Sequence, residues 1–215
     1  MGITERKERE KMRRRNDIID AAEKIFFAKG LAASTMDEIA EAAELSKGTL
    51  YLYFKSKEDL YFAINIRGLK ILFEFFESAV TSASTGFEKV FAIGEAYVRF
   101  YREYPDYFMA LVYYESKDMN AAAAENVKSD EFDHGHDVQY LLVDALHQGV
   151  KDGSIRPDID PRRMSIALWG MSTGIIHLSR TKGEHLKHKH NVPMDDIVPY
   201  TLNFLKQCIA NHTKG

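Results

Sequence analysis

Apolar residues recur three and four positions apart along almost all of the chain, and no stretch shows the sustained alternation that a half-buried strand requires. That period commits the backbone to helices, which can bury their apolar faces only by packing on one another. Five prolines and thirteen glycines punctuate the pattern. They mark off a first helix ending near Ala28 with Gly30 as its stop, a short helix from Ser34 or Thr35 to Ala43, and another capped by Ser46. The next begins at Ser56 and runs on without a linker to about Ala83, and further helices are expected over 85–103, 105–118, 131–152, 161–182 and 194–211. The expected fold class is all-α. With 215 residues, 45% of them hydrophobic, the chain has material for a small domain beside a larger one.

Charge is unevenly placed. A net charge of -3 does not suit a protein that coats nucleic acid by bulk attraction. Yet residues 6–15, RKEREKMRRR, hold seven Lys or Arg against two Glu, whereas from Tyr61 onward 17 basic residues face 20 acidic ones. Such an arm reads either as a phosphate-facing element that gains affinity by counterion release, or as a solvated helix face laced with Glu–Arg pairs four apart. The single cysteine, Cys208, has neither a second thiol nor a metal-like Cys/His spacing around it, which fits a reducing compartment. No apolar run approaches the roughly 18 residues that span a bilayer, and the first fifteen residues are charged instead of carrying an apolar signal core. The expected location is the cytoplasm, with no membrane partner.

The segment SKGTLYLYFKSKEDL, residues 46–60, carries the chemistry. Two short helices joined by a tight turn and preceded by a supporting helix make a helix-turn-helix, whose second member lies in the major groove. Gly48 lets the backbone approach DNA, Thr49 offers a hydroxyl and a methyl to a base edge, and the hydroxyls of Tyr51 and Tyr53 reach toward phosphate oxygens. Leu50 and Phe54, four apart, face inward. At the start of the following helix Lys57 and free backbone N–H groups are placed to clamp another phosphate.

STMDEIAEAAELSKGTLYLYFKSKEDLYFAI, residues 34–64, resembles the DNA-binding domain of the TetR family of bacterial transcriptional regulators, and IIDAAEKIFFAKG before it fits that family's first helix. The resemblance covers about residues 16–64; the remainder agrees in length and helical pattern. It implies a three-helix DNA-binding domain over 1–55 and a helical effector-binding and dimerisation domain over 56–215. It also implies Lys47, Gly48, Thr49 and Tyr51 at base edges, and Thr35, Ser46, Tyr53 and Lys57 on the DNA backbone. Two residues depart from the pattern. Glu44 stands where the family often has a turn glycine, so it must avoid a positive φ or accept roughly 1 kcal/mol of strain. Leu52 stands where a second aromatic often follows the first tyrosine.

The middle of the chain is rich in aromatics, among them Phe91, Tyr97, Phe100, Tyr101, Tyr104, Phe108 and Tyr113. They read as core, or as the wall of a cavity closed by Trp169, Thr173 and His177 from the helix that opens at Pro161. That helix sorts into two apolar faces, and the second, with Leu168, Met171 and Ile175, is expected to join Leu202, Leu205 and Ile209 in the seam of a symmetric homodimer. Two histidine clusters, His134 with His136 and His185 with His188 and His190, fall in expected loops and read as solvated or as metal ligands. No nucleophile elbow, phosphate-binding glycine loop or HExxH motif is present, so no catalytic residue, cofactor or metal is assigned. These expectations combine into a regulator that holds double-stranded operator DNA as a homodimer and responds to a hydrophobic small-molecule effector, more acidic or neutral than cationic. Repression is expected on the analogy alone. A metal-responsive regulator using the loop histidines, or a helical enzyme, is the alternative.

Overall fold

The computed structural model describes residues 2–115 and 138–211. Its described residues form nine helices: α1 (Ile3–Ala33), α2 (Met36–Ala42), α3 (Lys47–Tyr53), α4 (Lys57–Thr81), α5 (Gly86–Glu103), α6 (Pro105–Glu115), α7 (Val138–Asp152), α8 (Pro161–His190) and α9 (Met194–Ile209). They contain no strand; one antiparallel bridge joins Ile155 to Ala210. None of the helices is long and apolar enough to cross a membrane. The described residues fall into two compact units, one of 2–68 with 109–115 and the other of 69–108 with 138–211, so α4 and α6 each begin in one and end in the other.

The first unit is built on Ile18, Ile39, Leu50, Leu60 and Ile64, which are fully buried. Each such side chain contributes about 1.5–3 kcal/mol by leaving water. Gly30 breaks α1 with φ 81° and ψ 160°, a conformation that only glycine adopts freely. Arg67 of α4 donates to Asp20 at 2.7 Å and Glu23 at 2.8 Å on α1, and Tyr61 packs edge-on against Phe26 and Tyr113. Residues 4–14 of α1 are exposed throughout.

In the second unit α5 crosses α7 where two glycines meet. A Cβ on Gly86 would lie 1.9 Å from the Gly149 nitrogen, so the two backbones touch there, and a Cβ on Gly149 would run into the Ile155 side chain at 2.4 Å. Asp152 accepts from Gly86 N–H at 2.8 Å, which satisfies an N-terminal donor of α5. The segment after α7 is pinned to the end of α9 by Arg156 N–H on Ile209 O at 3.1 Å and Asn211 N–H on Ser154 O at 3.1 Å.

Three expectations need correction here. The helix from Pro161 continues to His190, eight residues past the expected end, and stops at Asn191, whose φ of 53° makes the left-handed cap. Gly183 is carried inside it at the modest cost a helix tolerates, while Lys187, His188, Lys189 and His190 suit its negative C-terminal end. The second histidine cluster is therefore helical, and the described residues hold no group of three His, Cys, Asp or Glu able to bind a metal. The first cluster lies outside the described residues. The third correction is the seam: Leu168, Leu205 and Ile209 are buried within the protomer, and the apolar side chains left exposed on α8 and α9 are Ile166, Met171, Leu178, Tyr200 and Phe204.

Candidate functional site

Local rules fix the geometry of the α2–α3 pair. Thr35 caps α2: its hydroxyl accepts from Glu38 N–H at 3.3 Å, and Thr35 N–H and the hydroxyl both donate to the Glu38 carboxylate. Lys29 also binds that carboxylate. The Lys29 ammonium, and after it the Thr35 donors, hold the Glu38 carboxyl down to about 2. The turn that follows closes with Leu45 N–H on Ala40 O at 2.9 Å and Glu44 N–H on Glu41 O at 3.0 Å, the two bonds of a Schellman motif. Glu44 occupies its left-handed position at φ 55° and so takes the strain of roughly 1 kcal/mol that glycine would avoid.

Ser46 caps α3 through Thr49 N–H at 3.1 Å. Its hydroxyl lies 2.8 Å from that of Thr49, and either is able to donate, so one of the two hydroxyl protons is not used in this bond. Leu50 and Phe54 are buried beneath the helix. Lys47, Gly48, Tyr51 and Leu52 form its exposed face, with Thr49 and Tyr53 half-buried at the edge. Gly48 has open space around its missing Cβ apart from Ser46 Oγ at 3.9 Å, so the fold itself does not require glycine there.

Besides Ser46 and Thr49, three of the expected contacts carry intramolecular partners. Lys47 is paired with Asp37 across the two helices at 2.6 Å, a contact that raises the lysine pKa. Both groups are exposed, and such a pair is readily exchanged for a stronger anion. The Thr35 N–H and hydroxyl are committed to Glu38, which makes Thr35 a residue that shapes α2. Lys57 departs furthest from the phosphate clamp. Its ammonium donates to the carbonyls of Leu31 at 2.9 Å, Ala32 at 3.3 Å and Ser34 at 3.2 Å, using all three of its protons on the α1–α2 turn.

Two of the hollows in the second unit have opposite character. A slot of about 40 Å³ lies among α4, α5, α7, α8 and α9, walled by Phe76, Phe91, Gly94, Tyr97, Trp169 and Leu202 with other apolar groups. Tyr97 stacks on Trp169 at 5.3 Å and shares a buried hydrogen bond of 2.8 Å with Thr173. A larger cleft of about 360 Å³ opens between α5 and α8, lined by Tyr101, Arg102, Arg180, Lys187 and Glu184 among others.

Of the residues expected to hold an effector, Phe91, Tyr97 and Trp169 line the slot and Tyr101 lines the cleft. Phe100, Tyr104, Phe108, Thr173 and His177 line neither hollow, and Phe100 and Phe108 are fully buried core. Tyr113 belongs to the first unit, against Tyr61. Its neighbour Tyr114 is buried there with its hydroxyl pushed up to about 12, by desolvation first and then by the Asp59 charge. Arg180 and Lys187 were not singled out in the sequence, because nothing local shows that one face of α8 meets Arg102 of α5.

Residues 18–64 match the model of bacterial regulatory proteins of the tetR family, and residues 90–198 match the tetracyclin repressor-like C-terminal domain. The HTH-type transcriptional repressor KstR2 of Rhodococcus jostii RHA1 is 31% identical over 153 residues, covering 68% of this chain and 70% of that protein. Among solved structures, the ketosteroid transcriptional regulator KstR2 of Mycobacterium tuberculosis superposes with a TM-score of 0.62 at 21% identity, over 92% of this chain and 95% of that one. The fatty acid degradation regulator FadR of Bacillus halodurans gives 0.66 at 20% identity, over 90% and 94%. With an exposed recognition face on α3, both domain models matched in order and a repressor relative across two thirds of its length, the chain belongs to the TetR family of ligand-responsive, DNA-binding transcriptional regulators.

Proposed function

We propose that this protein is a repressor that grips a palindromic operator as a homodimer through α3 and releases it when a lipophilic small molecule enters the second unit. The observation that carries the DNA half is the sorting of α3, with Leu50 and Phe54 buried and Lys47, Gly48 and Tyr51 presented outward. Thr49 and Tyr51 read base edges, Lys47 exchanges Asp37 for DNA, and Ser46 and Tyr53 hold the backbone. The exposed residues 4–14 add sequence-independent attraction to phosphates. A protein acting on chromosomal DNA works in the cytoplasm.

The dimer is supported by exposed apolar groups along one side of α8, Ile166, Met171 and Leu178, and by Tyr200 and Phe204 on α9. Ala167, Gly170 and Gly174 are also exposed on α8, and a Cβ on either glycine would meet nothing within 4 Å, so a second helix has room to approach closely. A two-fold pair built this way would set its α3 helices one DNA turn apart, roughly 34 Å.

The effector half rests on the apolar slot around Trp169, which at about 40 Å³ is far smaller than an ordinary ligand pocket and must widen to admit a ligand. The names of the ketosteroid and fatty acid degradation regulators among the structural neighbours point the same way. Selection of bound fragments from the source genome, followed by titration of the recovered duplex with apolar compounds, tests the reading. A shared inverted repeat, released by at least one lipophile, is expected. Recovery of fragments with no common sequence would overturn it.

A further inference from the structure

The slot and the basic cleft are neighbours along α8. Between them lies a crease of about 10 Å³ that shares Ser172 and Leu202 with the slot and Val98 and Val198 with the cleft. The path therefore runs along α8 from Trp169 past Ser172 and Ile176 to Arg180, a span of eleven residues or roughly 16 Å at 1.5 Å per residue. One end is walled by aromatic and aliphatic groups. The other presents Arg102, Arg180 and Lys187 against a single lining acid, Glu184.

These cations are available to a ligand. The only ion pair described for the three is Arg180 with Asp106, at a long 3.9 Å. Arg99, one turn from the cleft, is by contrast committed to Glu103 at 3.6 Å and lies over the Phe75 ring at 4.5 Å. Leu202 stands across both slot and crease, and a Cβ on Gly94 would come within 3.2 Å of it. Glycine at 94 thus leaves Leu202 the space to swing aside, and a ligand entering along the crease must move that side chain.

We infer that the effector is an amphiphilic anion, whose carboxylate or phosphate end is held by Arg102, Arg180 and Lys187 and whose apolar body follows the crease toward Trp169. Planar guanidinium groups bind either oxyanion in bidentate fashion, and the apolar path suits a chain or fused-ring body. A lipophilic cation is disfavoured by three like charges at the head site, and a neutral lipophile leaves those charges unused. This inference rests on the proposed effector response and adds the charge and orientation of the ligand.

The sole tryptophan of the chain lines the slot, so its emission reports the tail directly. The full-length protein should be titrated with dodecanoate, dodecyl phosphate, dodecanol and dodecyltrimethylammonium, below micelle formation and with helical circular dichroism followed in parallel. At least one anion should shift Trp169 emission at a concentration tenfold or more below dodecanol, and the tighter of the two identifies the head group. Arg180→Gln with Lys187→Gln should abolish that preference while leaving dodecanol binding unchanged, and Arg180→Lys should retain most of it.

The inference is overturned if dodecanol or the ammonium compound binds as tightly as both anions, or if the double variant keeps the tenfold preference. An emission change accompanied by helix loss is denaturation and counts against it. If no dodecyl compound of any charge moves the emission or releases operator DNA, the lipophilic effector reading itself fails, which is a separate result from equal binding of all four.

Discussion

The ammonium of Lys57 lies 2.9 Å from the carbonyl oxygen of Leu31, twenty-six residues earlier, and reaches Ala32 and Ser34 as well. A lysine at the start of α4 thereby adds a charged donor to the carbonyls where α1 ends, and ties the supporting helix to the α2–α3 pair.

Lys57→Met should therefore lower the stability of the protein by about 1–3 kcal/mol, the range for bonds from a charged donor. Operator and scrambled duplex should both weaken. The slope of log affinity against log salt should stay unchanged, whereas loss of a phosphate contact would reduce it by about one. Titration at four salt concentrations separates the two.

Glu38 gives a pH signature. Its folded carboxyl is held at about 2, below the ordinary 4.5, by Lys29 and the Thr35 donors, so its contribution is present above about 4.5 and lost as pH falls toward 2. In Glu38→Gln that part of the acid limb should flatten relative to wild type. Urea midpoints at pH 6, 4 and 2.5 measure it; parallel curves for the two proteins would contradict the assignment.

Much of the first unit was legible because its signals are local. Ser46 and Thr35 cap the helices that follow them, Gly30 breaks α1, and Leu50 and Phe54 are buried four apart. Glu44 was flagged as a glycine position, and it adopts φ 55°. What the sequence hid is long-range. The partners of Lys57 lie more than twenty residues away, and Arg102 meets Arg180 and Lys187 only through the packing of α5 on α8. Part of the seam was misplaced for the same reason: Leu168, Leu205 and Met171 have equal periodicity, and tertiary contacts alone decide that the first two face inward while Met171 stays exposed. The length of α8 was missed because histidine and glycine were read as loop residues, although a helix accepts both at modest cost.

Glu44→Gly should relieve the strained turn and stabilise the protein by about 1 kcal/mol, less the entropy that glycine adds to the unfolded chain. An unchanged or lower urea midpoint would show that the left-handed position costs nothing here.

For assembly, Phe204→Glu and Met171→Glu each place a charge in the exposed apolar face, and in a dimer that charge would cost several kcal/mol. Sedimentation should show wild-type dimer and variant monomer at micromolar concentration. Leu205→Glu, buried within the protomer, should instead unfold it. A monomeric wild type would remove the dimer.

If α3 reads DNA sequence through its exposed face and the edge beside it, Thr49→Ala is the sharpest probe of that reading. The selected operator and a scrambled duplex of the same length should be titrated with both proteins at one fixed salt concentration. The ratio of the two affinities should fall at least fivefold in Thr49→Ala, about 1 kcal/mol or more of discrimination, with affinity for the scrambled duplex unchanged. A ratio identical to wild type, in a variant that remains folded, would contradict it.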